Sequence, residues 1–189
     1  MVRAGRPGPA DWVTAVRAVL VAAITVLVVR GFWSPVPPEA GVTAAIVTLG
    51  VAALLTDLLD GWVARRTGTV SAFGARFDME TDALLILVLS VYVARVFDAW
   101  WVVTIGLLRY ALWAAERVLP WLREPVPPRF WRKVVASATG QTLAYVSTGW
   151  FPRWFVLTAL AAVLAMLLES FGRDIAYLAS HRSDFRENG

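Results

Sequence analysis

Long apolar runs alternate with short polar or proline-bearing breaks along almost the whole chain. A helix needs roughly 20 mostly apolar residues to cross a bilayer. The pattern predicts six such segments: Trp12–Phe32, Ala40–Leu59, Ala72–Val93, Ala99–Leu119, Lys133–Trp150 and Trp154–Ala179. The fifth is the most polar, carrying Ser137, Thr139, Gln141 and Thr142. The stretch PVPPEAG from Pro35 to Gly41 cannot stay helical, because proline lacks the N–H and clashes with the preceding turn. REPVPPRFWRK, from Arg123 to Lys133, reads as a proline-rich basic loop. The first run is long and has no small-residue cleavage site, so no cleavable signal peptide is expected. The expectation is an all-α integral membrane bundle of six transmembrane helices, forming a single domain over residues 1–189.

Composition sharpens this picture. The chain is 58% hydrophobic, above the usual share of a soluble domain, and has ten tryptophans, many near the ends of apolar runs. Tryptophan favours the membrane–water interface, where its ring is half in hydrocarbon and its N–H finds a partner. There is no cysteine, which excludes disulfides, zinc–thiolate sites and a cysteine nucleophile. The net charge of +4 is assigned to anionic lipid headgroups rather than to a nucleic acid. If the spans alternate, most basic residues fall on one side, among them Arg3, Arg65, Arg66, Arg117, Arg132 and Arg173; Arg30, Arg95 and Arg153 fall on the other. The positive-inside bias then puts both termini in the cytoplasm of a multi-pass protein of the cell membrane.

Against this background four aspartates stand out. Asp57 and Asp60 close the second apolar run; Asp78 and Asp82 open the third. Residues three and four apart share a helix face. Each run therefore presents two carboxylates on one stripe, with Gly61 and Ala64 on one and Gly74 on the other. The stretch Thr67–Ser71 lets the chain turn so that the stripes face each other.

Four such carboxylates repel and cannot all ionise without compensation. Arg65, Arg66 or Arg76 offers some. Hard divalent cations offer more, and oxygen-only ligation without His or Cys points to Mg²⁺ or Mn²⁺ rather than zinc. Two ions held this way clamp a phosphoryl or diphosphate group. A lone acidic residue at a helix end is ordinarily solvated or capping. Four at these spacings, beside small residues at the edge of a membrane span, favour a functional site.

The run Asp57-Leu-Leu-Asp60-Gly61-Trp-Val-Ala64-Arg65, then eight residues, then Gly74-Ala-Arg-Phe-Asp78-Met-Glu-Thr-Asp82 resembles the CDP-alcohol phosphotransferase signature at every fixed position. The resemblance implies a membrane enzyme, often a homodimer, with a cytosol-facing active site. Such an enzyme transfers a phosphatidyl group from CDP-diacylglycerol to a polar alcohol acceptor and releases CMP. It implies that Asp57, Asp60, Asp78 and Asp82 hold two divalent ions, with Asp82 also the general base. Gly61, Ala64, Arg65 and Gly74 would serve the CDP-linked donor, together with Asp57 and Thr14. Thr14…Arg17 is similar to the family's Thr-x-x-Arg opening, with Asp11 where an asparagine is common.

For the acceptor, Arg109 and Arg117 are similar in spacing to two arginines of the phosphatidylglycerophosphate synthases, and Arg132 and Lys133 add a second basic pair. Arg109 lies inside an apolar run and calls for an anionic partner, a phosphate or an aspartate. The chain departs from the pattern at Ala83 and Tyr110, and at Trp131–Gln141, where a Gly-Lys-x-Lys-Thr segment is usual. Glycerol 3-phosphate leads as acceptor, with phosphatidylglycerol or an inositol phosphate behind it. A cation transporter and a silent scaffold are the alternatives from other classes. Transport would place acidic groups at the bilayer midplane on broken helices.

Overall fold

The computed structural model describes residues 9–33, 39–67, 72–124, 126–127 and 130–180, and within these the side chains of all but residues 9–12, 57–67, 72–73 and 75. The described residues form six α-helices and no strand: α1 (Pro9–Phe32), α2 (Ala40–Thr67), α3 (Ala72–Val96), α4 (Val103–Val118), α5 (Phe130–Val146) and α6 (Arg153–Ser180). Each corresponds to one of the apolar runs. Short 3₁₀ turns at Trp100–Val102 and Pro120–Arg123 flank α4.

The main difference from expectation lies before α5. Phe130–Lys133, read from the sequence as loop, is the first turn of α5. No proline falls between Pro128 and the end of α5, so every residue of this helix has an N–H to donate. Among the described residues, two helical stretches are long and apolar enough to cross a membrane, Val13–Phe32 and Arg153–Ser180. Ala40–Thr56 of α2 is apolar but shorter, and α4 and α5 have 16 and 17 residues.

The helices pack mainly as chain neighbours, α1 with α2, α3 with α4 and α5 with α6, while α3 also meets α1 and α5. The shared core gathers Val21, Ile24 and Val28 of α1, Ile46 and Ala53 of α2, and Leu85, Leu89 and Val93 of α3, with Leu143 of α5 and Leu160 of α6 closing it. Polar groups within it are bonded. Tyr92 donates its hydroxyl to Thr43 Oγ1 at 3.0 Å, tying α3 to α2, and Thr139 returns its hydroxyl to the Val135 carbonyl at 2.7 Å. Thus part of the polarity of the fifth run is satisfied inside its own helix.

Gly106 sets the closeness of α4 to α3. A Cβ there would lie 2.5 Å from the Leu87 Cα and 2.7 Å from Ser90 Oγ, so only glycine admits this approach. At the far end of the bundle from Asp78, Trp33, Trp100, Trp150 and Trp154 are exposed beside the loops. Phe32 and Trp100, with ring centroids 6.0 Å apart, join α1 to the turn before α4 at that end.

Candidate active site

The site begins with Arg17. It lies in the second turn of the apolar run of α1, on the same face as Thr14, and is wholly buried. A buried arginine needs a charged partner, because leaving its guanidinium unpaired in a low-dielectric interior is very costly. The partners come from α3. Arg17 forms an ion pair with Asp78, and its Nη2 lies 3.6 Å from Asp82 Oδ1. One guanidinium thus bridges two carboxylates one helical turn apart, as their spacing places them on one face.

The cation that neutralises these carboxylates is therefore not Arg76, which is exposed and two residues from Asp78, on another face of α3. The sequence reading gave Arg17 a place in an opening motif but no role. The available signal was a positive charge within an apolar helix, which demands an anion. The aspartates keep partly exposed side chains, 31% for Asp78 and 41% for Asp82. Oxygen donors and access fit a hard divalent cation. Asp57, Asp60, Gly61, Ala64 and Arg65 belong to the last turns of α2, and their side chains lie outside the described ones. Among the described residues no three acidic or imidazole groups converge as a metal-ligand set.

Asp82 also lines a cavity of about 530 Å³ between α2, α3 and α5. This is the size of a small-molecule site. Its walls are largely apolar: Val51, Leu54 and Leu55 of α2, and Leu85 and Ile86 of α3. From α5 come Lys133, Ser137 and Gln141, whose side-chain amide donates to Ser137 Oγ at 3.0 Å. The cavity joins one carboxylate and one ammonium at its polar end to a greasy slot.

Over residues 9–171 the chain matches the family model for CDP-alcohol phosphatidyltransferase. The chain belongs to this family. It is similar along most of its length to proteins named CDP-diacylglycerol–glycerol-3-phosphate 3-phosphatidyltransferase. One from Sodalis glossinidius is 28% identical over 186 residues, covering 94% of this chain and 96% of that protein. One from Pectobacterium atrosepticum is 30% identical over 145 residues, covering 72% and 78%. One from Escherichia coli K12 is 29% identical over 160 residues, covering 80% and 82%. No solved structure matches the chain.

In this CDP-alcohol phosphatidyltransferase the four basic residues expected at an acceptor site take different places. Lys133 lines the cavity with Asp82. Arg109 is 43% exposed and bonds Glu80 of α3 at 3.2 Å, so its partner is a glutamate rather than an aspartate. The close approach of α4 to α3 at Gly106 brings that glutamate within reach. Arg117 lies over the Trp113 ring, 3.9 Å from its centroid, in a cation–π contact. Arg132 meets Asp174 of α6 at 3.3 Å. Arg173 pairs with Glu169, one turn back on its own helix. Gly74 lies one turn before Asp78, half-buried.

Proposed function

We propose that this CDP-alcohol phosphatidyltransferase moves the phosphatidyl group of CDP-diacylglycerol onto a hydroxyl of glycerol 3-phosphate and releases CMP, a step of phospholipid synthesis. The observation that carries this reading is buried Arg17 holding Asp78 and Asp82 on one face of α3, with Asp82 lining, together with Lys133, the polar end of an apolar cavity. The choice of acceptor is supported by the names of the relatives.

The residues divide the work by their chemistry. Asp57, Asp60, Asp78 and Asp82 would hold two divalent ions, Mg²⁺ or Mn²⁺. When bound, such ions offset charge on the donor's diphosphate. Arg17 keeps the two α3 carboxylates on one side of the helix, facing α1. Lys133 supplies a cation for the acceptor's phosphate. Asp82 takes the proton of the attacking hydroxyl. The acceptor oxygen forms its bond to the phosphorus that carries diacylglycerol, and the bond to the CMP oxygen breaks, its electron pair leaving with CMP. The apolar walls from Val51 to Leu55 and at Leu85 and Ile86 suit an acyl chain.

The same reading makes the chain a six-span protein of the cell membrane with both termini and the site on the cytoplasmic face, and a homodimer as the family resemblance implies. Outward-facing Val16, Val19, Val26 and Val29 on α1 and the exposed tryptophans at the opposite end support contact with lipid. The test is CMP release by the purified protein in detergent with CDP-diacylglycerol, Mg²⁺ or Mn²⁺, and single acceptors: glycerol 3-phosphate, phosphatidylglycerol, inositol phosphate. Release with glycerol 3-phosphate that stops on chelation and returns with the metal is the expected result. Turnover with another acceptor alone would replace the acceptor, and metal-independent turnover would remove the ions from the reading.

A further inference from the structure

The cavity stripe on α5 runs Lys133, Ala136, Ser137, Gly140, Gln141 and Ala144. These positions are three and four apart, one continuous face of the helix. The first turn is gripped from another direction. Trp131 Nε1 donates to Glu169 Oε2 at 2.9 Å, and Arg132 Nε lies 3.3 Å from Asp174 Oδ2. Both acids belong to α6. Asp174 is nearly buried, and Glu169 is itself paired with Arg173.

The start of a helix is its loosest part, since its first four N–H groups have no partner within it. The chain ahead of Phe130 carries Pro125, Pro127 and Pro128. The direction in which Lys133 points therefore depends on the roll of this turn about the helix axis. One residue corresponds to a 100° rotation, enough to carry Lys133 off the cavity face. The exposed Trp131–Glu169 hydrogen bond adds little to stability. Anchors on two successive residues beside a cavity cation have their main consequence in orientation. They also divide the charges: Arg132 is drawn to Asp174, and the adjacent Lys133 is left to the cavity.

We propose that Glu169 and Asp174 are positioning residues for the acceptor end of the site. By holding Trp131 and Arg132 they set the roll of the first turn of α5 and aim Lys133 at the phosphate of an anionic acceptor beside Asp82. The acceptor part of this inference rests on the function proposed above.

Two measurements on the full chain in detergent test it. The first is steady-state CMP release for the double variant Glu169→Gln, Asp174→Asn. The KM for glycerol 3-phosphate rises about tenfold, the scale of a displaced binding group, while kcat and the KM for CDP-diacylglycerol stay within about twofold. In a Lys133→Met background the double variant adds no further rise, because the two changes act through one group. Restoring charge as Asp174→Glu in place of Asn recovers part of the affinity. A parallel change in kcat and both KM values, or full additivity with Lys133→Met, would overturn the proposal.

The second measurement does not depend on the reaction. The chain has no cysteine, so a spin label on Lys133→Cys reports the first turn of α5 alone. Its rotational correlation time shortens at least about twofold when both acids are neutralised, on the nanosecond scale of side-chain motion. A label on Tyr145→Cys, near the other end of α5, does not change. Unchanged mobility at position 133 overturns the positioning role whatever the acceptor. Altered mobility with no turnover of glycerol 3-phosphate by the wild-type chain retains the grip and overturns the acceptor.

Discussion

Arg17, wholly buried within α1, forms an ion pair with Asp78 of α3, and Asp82 stands one turn further along at 3.6 Å from the same nitrogen. This contact links a helix with no carboxylate of the signature to the helix that carries half of it. Removing the arginine leaves two partly exposed carboxylates one turn apart with a buried cation lost between them.

Arg17→Ala is therefore expected to destabilise the protein by about 1–3 kcal/mol, less than for a fully buried pair because the carboxylates left behind reach water. For a chain of this size that lowers the melting temperature by on the order of 5 °C. Arg17→Lys recovers part of the loss, since it keeps the charge but not the fork. Intrinsic tryptophan fluorescence on heating in detergent reads both. Added Mg²⁺ should raise the melting temperature of Arg17→Ala more than that of the wild type, because the cation replaces the missing charge.

Asp78 and Asp82 should respond differently to the same change. Asp82→Asn is expected to cut kcat by about 10²–10⁴-fold, the contribution of a general base, with the melting temperature held. Asp78→Asn removes the direct partner of a buried guanidinium and lowers stability as well as rate. CMP release and melting measured on the same preparations separate the two. Equal loss of stability in both variants would contradict this division.

Two glycines give opposite signs. Gly106→Ala pushes a methyl into the Leu87 backbone, so α3 and α4 must part, at a cost of about 1–3 kcal/mol. Gly172→Ala in α6 meets no atom within 4 Å and is expected to stabilise by about 0.4–1 kcal/mol, through a less flexible unfolded chain. Thermal unfolding in detergent distinguishes them.

Gly140 borders the cavity, and a Cβ there meets only the tip of Leu54, at 3.2 Å. Gly140→Phe should fill the slot while the helices stay packed. The expected outcome is a fall in rate with a long-chain donor on the order of tenfold, about 1.4 kcal/mol of lost transition-state binding. Rates with donors of graded chain length check it, the shortest being least affected.

Orientation can be read from single cysteines in this cysteine-free chain. An impermeant thiol reagent is expected to label Thr148→Cys on intact cells, and Ser180→Cys only after the membrane is opened. The reverse pattern would turn the site to the outside.

The apolar periodicity of the chain was enough to locate all six helices, because a run of greasy residues between prolines has few other ways to satisfy its backbone. The start of α5 was misplaced, since basic and aromatic residues after prolines carry no helical period. The aspartate signature was equally legible, as its members sit at fixed offsets on two adjacent runs. What tertiary structure alone decided was partnership. Arg17 and Asp78 are 61 positions apart in the chain, and nothing local says which buried charge meets which. Arg117 stacks on Trp113 of its own helix, but packing between helices sent Arg109 to Glu80, Arg132 to Asp174 and Lys133 to the cavity. A side chain's partner depends on the roll and approach of whole helices. Those are set by contacts such as Gly106 against Leu87, which involve residues remote in sequence and without chemistry of their own.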